Sequence, residues 1–169
     1  ITTKDQKLDE ADFNLKLFKA RKIAENSIYS SELSEKEYFY FSSLSTKTII
    51  YKGLLVPEDI ERFYIDLKDS LLVTKLALVH QRFSTNTFPT WDLAQPFKYM
   101  CHNGEINTLK GNINRMKSRE ELFKSIHISK DEMSKILPVI VPNKSDSASM
   151  DMVVELLLMT GRSLPEVMM

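Results

Sequence analysis

The chain has 169 residues, 43% apolar and 27% charged, and its 23 basic and 23 acidic side chains cancel. That length suits one domain with a sizeable core, and the balanced charge argues against nucleic acid as a partner and against an acidic solvating tail. A single cysteine excludes an internal disulfide framework. With no apolar run of about 18 residues and no signal-peptide pattern, the expected setting is the cytoplasm or a plastid stroma.

Residues 1–12 are polar and carry no pattern beyond Leu8. From there Phe13, Leu17, Ala20, Ala24 and Ile28 recur at helical spacing, with Asp9 or Asp12 placed to cap the helix. Lys16, Lys19, Arg21 and Lys22 fall off that stripe and read as a solvated face. EYFYFSSL (37–44) and KTIIYK (47–52) are β-prone; the break at Ser45-Thr46 makes them a hairpin or a bent pair of strands. Pro57 suits the first turn of a short helix, with Glu58 and Asp59 at its positive end and Val56, Ile60, Phe63 and Tyr64 on its buried side.

Two central strands are expected next. Leu76, Leu78 and Val79 mark the first; in the second, Phe97, Tyr99 and Cys101 alternate with Lys98, Met100 and His102. Between them Pro89 and Pro96 force an extended loop, in which Trp91 reads as a plug onto the core. Beyond Glu105, a helical face of Leu109, Ile113, Met116 and Phe123 follows, capped by Asn107 or Thr108. A short helix and the run ILPVIVP precede MDMVVELLLMTG, which reads as a buried helix ended by Gly161. Ser163 to Glu166 is a capping box for one more.

The chemistry-bearing residues cluster at the ends of the two central strands. Asn103-Gly104, at a strand end just before a helix, offers a side-chain amide and an unencumbered backbone N–H, two donors able to hold a developing oxyanion. Standing alone, Asn-Gly is more often only a hairpin turn. Arg82 can fork onto a carboxylate, although an isolated strand-end arginine is ordinarily solvated. Asp146 reads either as a plain helix N-cap or as a carboxylate that binds an ammonium group; both hold if the cap uses one oxygen. Cys101 reads as a buried small hydrophobe, because strand neighbours such as Cys101 and His102 point to opposite faces. The three histidines have no metal-ligand spacing with it, so no metal is expected.

The strings HQRFSTNTFPTW and HNGEINTLKGNINRMKSRE closely resemble the glutamine amidotransferase domain of the glutamate synthase large subunit, one of the N-terminal-nucleophile hydrolases. Weaker similarity in SSLSTKTIIYKG and SDSASMD extends the match from about Phe13 to the C-terminus. The resemblance implies an α+β fold, a four-layer αββα sandwich, incomplete in this chain, with residues 1–169 forming part of one such domain. It implies hydrolysis of L-glutamine to supply ammonia for converting 2-oxoglutarate to L-glutamate. Within it, Asn103 and Gly104 take the oxyanion, Arg82 the substrate carboxylate and Asp146 its ammonium, while Thr85 shapes the pocket and Phe83 walls it.

In that family the N-terminal cysteine attacks the amide, with its own α-amino group as base. Ile1-Thr2-Thr3 stand at the start here and the one cysteine is Cys101, so the expectation is an interior piece, inactive alone. FMN and an iron–sulfur cluster are implied for the full enzyme only, with electrons from NADPH, NADH or ferredoxin; one cysteine cannot ligate such a cluster. The implied partners are L-glutamine, the remaining domains of the parent enzyme, and a small electron-delivering subunit or ferredoxin, with no nucleic acid and no membrane. Three other readings stand beside this one: a different N-terminal-nucleophile amidotransferase, a non-catalytic glutamine-binding or interaction domain of the same fold, and an inert truncation.

Overall fold

The first helix, α1 (Glu10–Tyr29), begins where Asp9 accepts the N–H groups of Ala11 and Asp12 at 2.5 and 3.2 Å, as its position predicts. The computed structural model describes residues 8–81, 83 and 88–169. Five further helices follow among them: α2 (Pro57–Phe63), α3 (Leu109–Glu120), α4 (Lys130–Ile136), α5 (Asp146–Met159) and α6 (Leu164–Met168).

The buried face of α1 is turned away from the predicted stripe: Asn14, Leu17, Phe18, Arg21, Lys22 and Glu25 face inward. The solvated basic face is therefore corrected. Lys16 is exposed, but Arg21 and Lys22 keep only 3% and 5% of their surface in water. Acidic partners on α1 itself and on α5 make the burial of Arg21 tolerable, whereas a sequence stripe counts only apolar residues.

Phe18 enters a core made with Ile128, Met133, Ile136, Val139, Ile140 and Leu156, and Ile113, Met116 and Phe123 pack against its edge. Each such side chain taken fully from water contributes about 1.5–3 kcal/mol. α1 and α4 are joined at both ends of α4. Lys19 meets Glu132 at 2.6 Å, and the Asn26 amide donates to the carbonyls of Lys135 and Leu137 at 2.9 and 3.0 Å. The latter satisfies carbonyls that a helix end leaves open.

The helix signals near the C-terminus hold. Ser163 and Glu166 form the capping box of α6, and Gly161 follows α5 at φ +94°, where a Cβ is strained. Asp146, however, is the first residue of α5; Ser145 caps it, accepting the Ala148 N–H at 3.2 Å. The inward side of α5 is also more polar than expected, carrying Ser147, Ser149, Asp151 and Glu155 beside Val154 and Leu156. Thr108 does precede α3, but in a left-handed conformation and with no side-chain cap bond.

No strand forms among the described residues. The segments 37–44 and 47–52 run as irregular chain after a short 3-10 turn at Lys36–Tyr38. Phe97 to Met100 closes a turn, Phe97 N–H donating to the Met100 carbonyl at 2.9 Å. Leu76 and Val79 stand 81% and 79% exposed. A helix closes its hydrogen bonds within itself, but a strand exists only against another strand, and none of these segments pairs. For the same reason the expected αββα layering is not present among the described residues. The intended buried side of α2 is likewise open: Val56, Ile60 and Phe63 are exposed, and Tyr64 is half-buried. Trp91 is 38% exposed and stands outside the hydrophobic core, so the expected plug is corrected; it rests on the exposed Phe63 ring and on Gly53, where a Cβ would stand 2.8 Å from the indole.

Candidate functional site

α5 organises the polar centre, because two of its carboxylates hold backbone of the segment before α3. Asp151, almost wholly buried, accepts the N–H groups of Lys98 and Tyr99 at 3.2 and 2.8 Å. Near the helix start, Asp146 Oδ2 accepts the Ile106 N–H at 2.6 Å. Asp146 Oδ1 accepts the N–H and the hydroxyl of Ser147 at 2.6 and 3.2 Å. The loop from His102 to Ile106 is thereby laid across the N-terminus of α5.

His102 anchors the start of this loop. The Gln95 carboxamide brackets its backbone, accepting from His102 N–H at 2.6 Å and donating to its carbonyl at 2.9 Å. The ring's Nδ1 lies 3.2 Å from Ser147 Oγ. Its other side rests on Gly104, where a Cβ would come within 2.9 Å of Nε2, so glycine is what admits the ring there. Asn103 and Gly104 themselves are exposed. A donor pair at a loop tip, next to an anionic group at a helix end, can engage a ligand that carries both an acceptor oxygen and a cation.

The carboxylate is kept ionised. Burial pushes the Asp146 carboxyl up, but hydrogen bonds from Ile106 and Ser147 and the neighbouring His102 outweigh it and hold Asp146 below the usual carboxylate range. Asp151 goes the other way: its burial dominates over Lys98 and the two backbone N–H groups and raises it.

Of the predicted site residues, the structure thus ties Asn103, Gly104 and Asp146 into one neighbourhood. Phe83 is half-buried. Arg82 and Thr85 lie outside the described residues. Cys101 is half-buried rather than enclosed, and carries a free thiol. His102, Ser147, Gln95 and Asp151 were missed as contributors. The one sequence cue to His102, Ser147 and Asp151 is their place inside the two motif strings, HNGEIN and SDSASMD; Gln95 lies in neither. Among the described residues, no group of three or more His, Cys, Asp or Glu could hold a metal ion, and no helix is long and apolar enough to cross a membrane.

Comparison with known proteins extends over the whole chain. The family described as "Glutamine amidotransferases class-II" matches residues 1–169. The chain is 51% identical over 154 residues to the glutamate synthase [NADPH] large chain of Bacillus subtilis, covering 91% of this chain and 10% of that protein. It is 46% identical over 167 residues to glutamate synthase [NADH] of Saccharomyces cerevisiae, with 98% and 8% covered. Against the ferredoxin-dependent glutamate synthase of Antithamnion sp. it is 44% identical over 165 residues, with 98% and 10% covered. The chain therefore spans 8–10% of the length of these relatives.

Proposed function

Because this chain belongs to the class-II glutamine amidotransferases, we propose that it forms the glutamine-binding and oxyanion-holding part of an amidotransferase site within a glutamate synthase. The observation that carries this is the docking of the His102–Ile106 loop on α5, which ties the Asn103-Gly104 turn to the helix end bearing Asp146. Glutamine presents an ammonium, a carboxylate and a side-chain amide. The ionised Asp146 takes the ammonium on Oδ2, which keeps a lone pair beyond the one used by Ile106, while Ser147 occupies Oδ1. Arg82 takes the carboxylate by a two-pronged ion pair, with Thr85 and Phe83 shaping and walling the pocket.

When a thiolate attacks the amide carbon, the carbonyl oxygen becomes an oxyanion. The Asn103 side-chain amide and the Gly104 N–H then donate to it, and their bonds strengthen as the charge grows. The attacking thiolate in this reading is the terminal cysteine implied by the family resemblance, not Cys101. The assembled domain takes the αββα layering. FMN and the iron–sulfur cluster belong to other parts of the parent protein: the residues here do not fit a cluster, which needs several thiolates where this chain has one. The ammonia released serves glutamate formation there, with electrons from a nicotinamide cofactor or ferredoxin.

The test is ammonia release from L-glutamine by the full-length protein. Asn103→Ala is expected to lower kcat by about 10²–10³, and Asp146→Asn to raise KM for glutamine more than it lowers kcat. Absence of glutamine-dependent ammonia in the wild type, or wild-type kinetics in both variants, overturns the reading.

A further inference from the structure

A separate polar centre lies between α1 and α5, around a cavity of about 70 Å³. Five cationic side chains and four carboxylates line it, a surplus of one positive charge. The carboxylates are all engaged at short range. Glu25 takes Arg21 Nη1 on both oxygens at 2.8 and 2.9 Å, and Glu155 lies 2.5 Å from Arg21 Nη2. Asp92 pairs with Lys144 at 2.5 Å, and Asp151 is spent on the Lys98 and Tyr99 backbone.

Three of the ammonium groups are not matched in this way. Lys22 is buried, yet it makes no hydrogen bond among the described residues, and its ion-pair partner, Glu25 Oε2, stands off at 3.9 Å. Lys98 Nζ is 4.0 Å from Glu155. Lys52 donates to the neutral Asp92 carbonyl at 2.6 Å and faces the rings of Tyr40 and Phe97 at 5.3 and 5.4 Å. An ammonium largely removed from water with no close counter-ion is destabilised. Burial accordingly pushes Lys22 below the usual lysine range and Lys52 down to about 8, and the charge of Lys98 adds to both shifts.

We propose that this cavity binds a small oxyanion, a carboxylate or phosphate group, between the ammonium groups of Lys22, Lys52 and Lys98. A space of about 70 Å³ admits a small anionic head group. The donors set the sign, because the lining carboxylates already have partners. The inference does not depend on glutamine chemistry.

Inorganic phosphate and acetate, each titrated calorimetrically into the full-length protein at pH 7 and fixed ionic strength set with chloride, test it. At least one of them is expected to bind and to raise the unfolding temperature. Affinity is expected to fall about tenfold or more in Lys22→Met and in Lys98→Met, the range for loss of a charge-assisted hydrogen bond, while Lys22→Arg retains binding. Phosphate binding alone identifies a phosphate site, and acetate binding alone a carboxylate site. Should Lys22→Met not fold, Lys98→Met, whose side chain is 20% exposed at the rim, decides the matter. Binding of neither anion, or undiminished binding in the methionine variants that fold, overturns the proposal.

Discussion

His102 shows how much of the site rests on one side chain that touches no substrate in the proposed chemistry. Its backbone is bracketed by Gln95, its Nδ1 reaches Ser147, and its ring seats the Gly104 turn. Under the amidotransferase reading it is a positioning residue. His102→Ala is expected to lower kcat for glutamine hydrolysis roughly fivefold, in line with about 1 kcal/mol for one lost hydrogen bond. His102→Asn, whose amide reaches the Nδ1 position, is expected to recover most of that loss. Steady-state kinetics on the two variants check this; equal activity in alanine, asparagine and wild type shows the ring to be filler. At this scale the sequence singled out Asn103, Gly104 and Asp146, which the structure brings into one neighbourhood, because a turn-forming pair and a charge before an apolar run are local patterns. It was silent on His102 and Ser147, because their contact joins residues 45 apart in the chain and leaves no local pattern.

Helices were legible and strands were not, for a reason visible in α4. Ser129 and Glu132 satisfy each other's backbone N–H groups across one turn, an arrangement written in four consecutive residues. Lys19 and the Ser129 bonds hold the Glu132 carboxyl down at about 2. A depressed carboxylate contributes its stabilisation above its ordinary value of 4.5 and loses it as pH falls toward 2. The N-terminus of α4 is therefore expected to loosen over that interval. Amide exchange of residues 130–133 followed by NMR measures it, and Glu132→Gln is expected to remove the pH dependence. The same locality explains the misplacement on α1: an apolar stripe can be counted, but the ion pairs that bury Arg21 and Lys22 come partly from Glu155, far along the chain. The segments 37–44, 47–52 and 76–79 carry strand composition without a strand, since composition supplies side chains but not a neighbouring edge.

At the scale of the molecule, large apolar side chains recur from Leu71 to Val79 and lie open to solvent. The proposed layered domain accounts for them as a sheet strand whose neighbours lie elsewhere in the parent protein. Hydrogen–deuterium exchange tests this: residues 71–79 are expected to exchange quickly in the 169-residue chain and to be strongly protected in the full-length protein. Equal exchange in both refutes the strand assignment. The layered fold is an expectation of the family resemblance alone, because sheet order is a property of chain segments meeting in space.

The two aspartates of α5 have one more consequence. Asp146 and Asp151 are five residues apart on a rigid rod, about 7.5 Å along its axis at 1.5 Å per residue. They grip the passing chain at Ile106 and at Lys98-Tyr99. One pin would let that chain swivel; two pins fix both its heading and its length. The stretch from Tyr99 to Ile106 is thus a measured span, like a bridge deck cut to its piers. A residue added or removed within it forces one pier to let go, and the Asn103-Gly104 turn is carried out of line with the helix end.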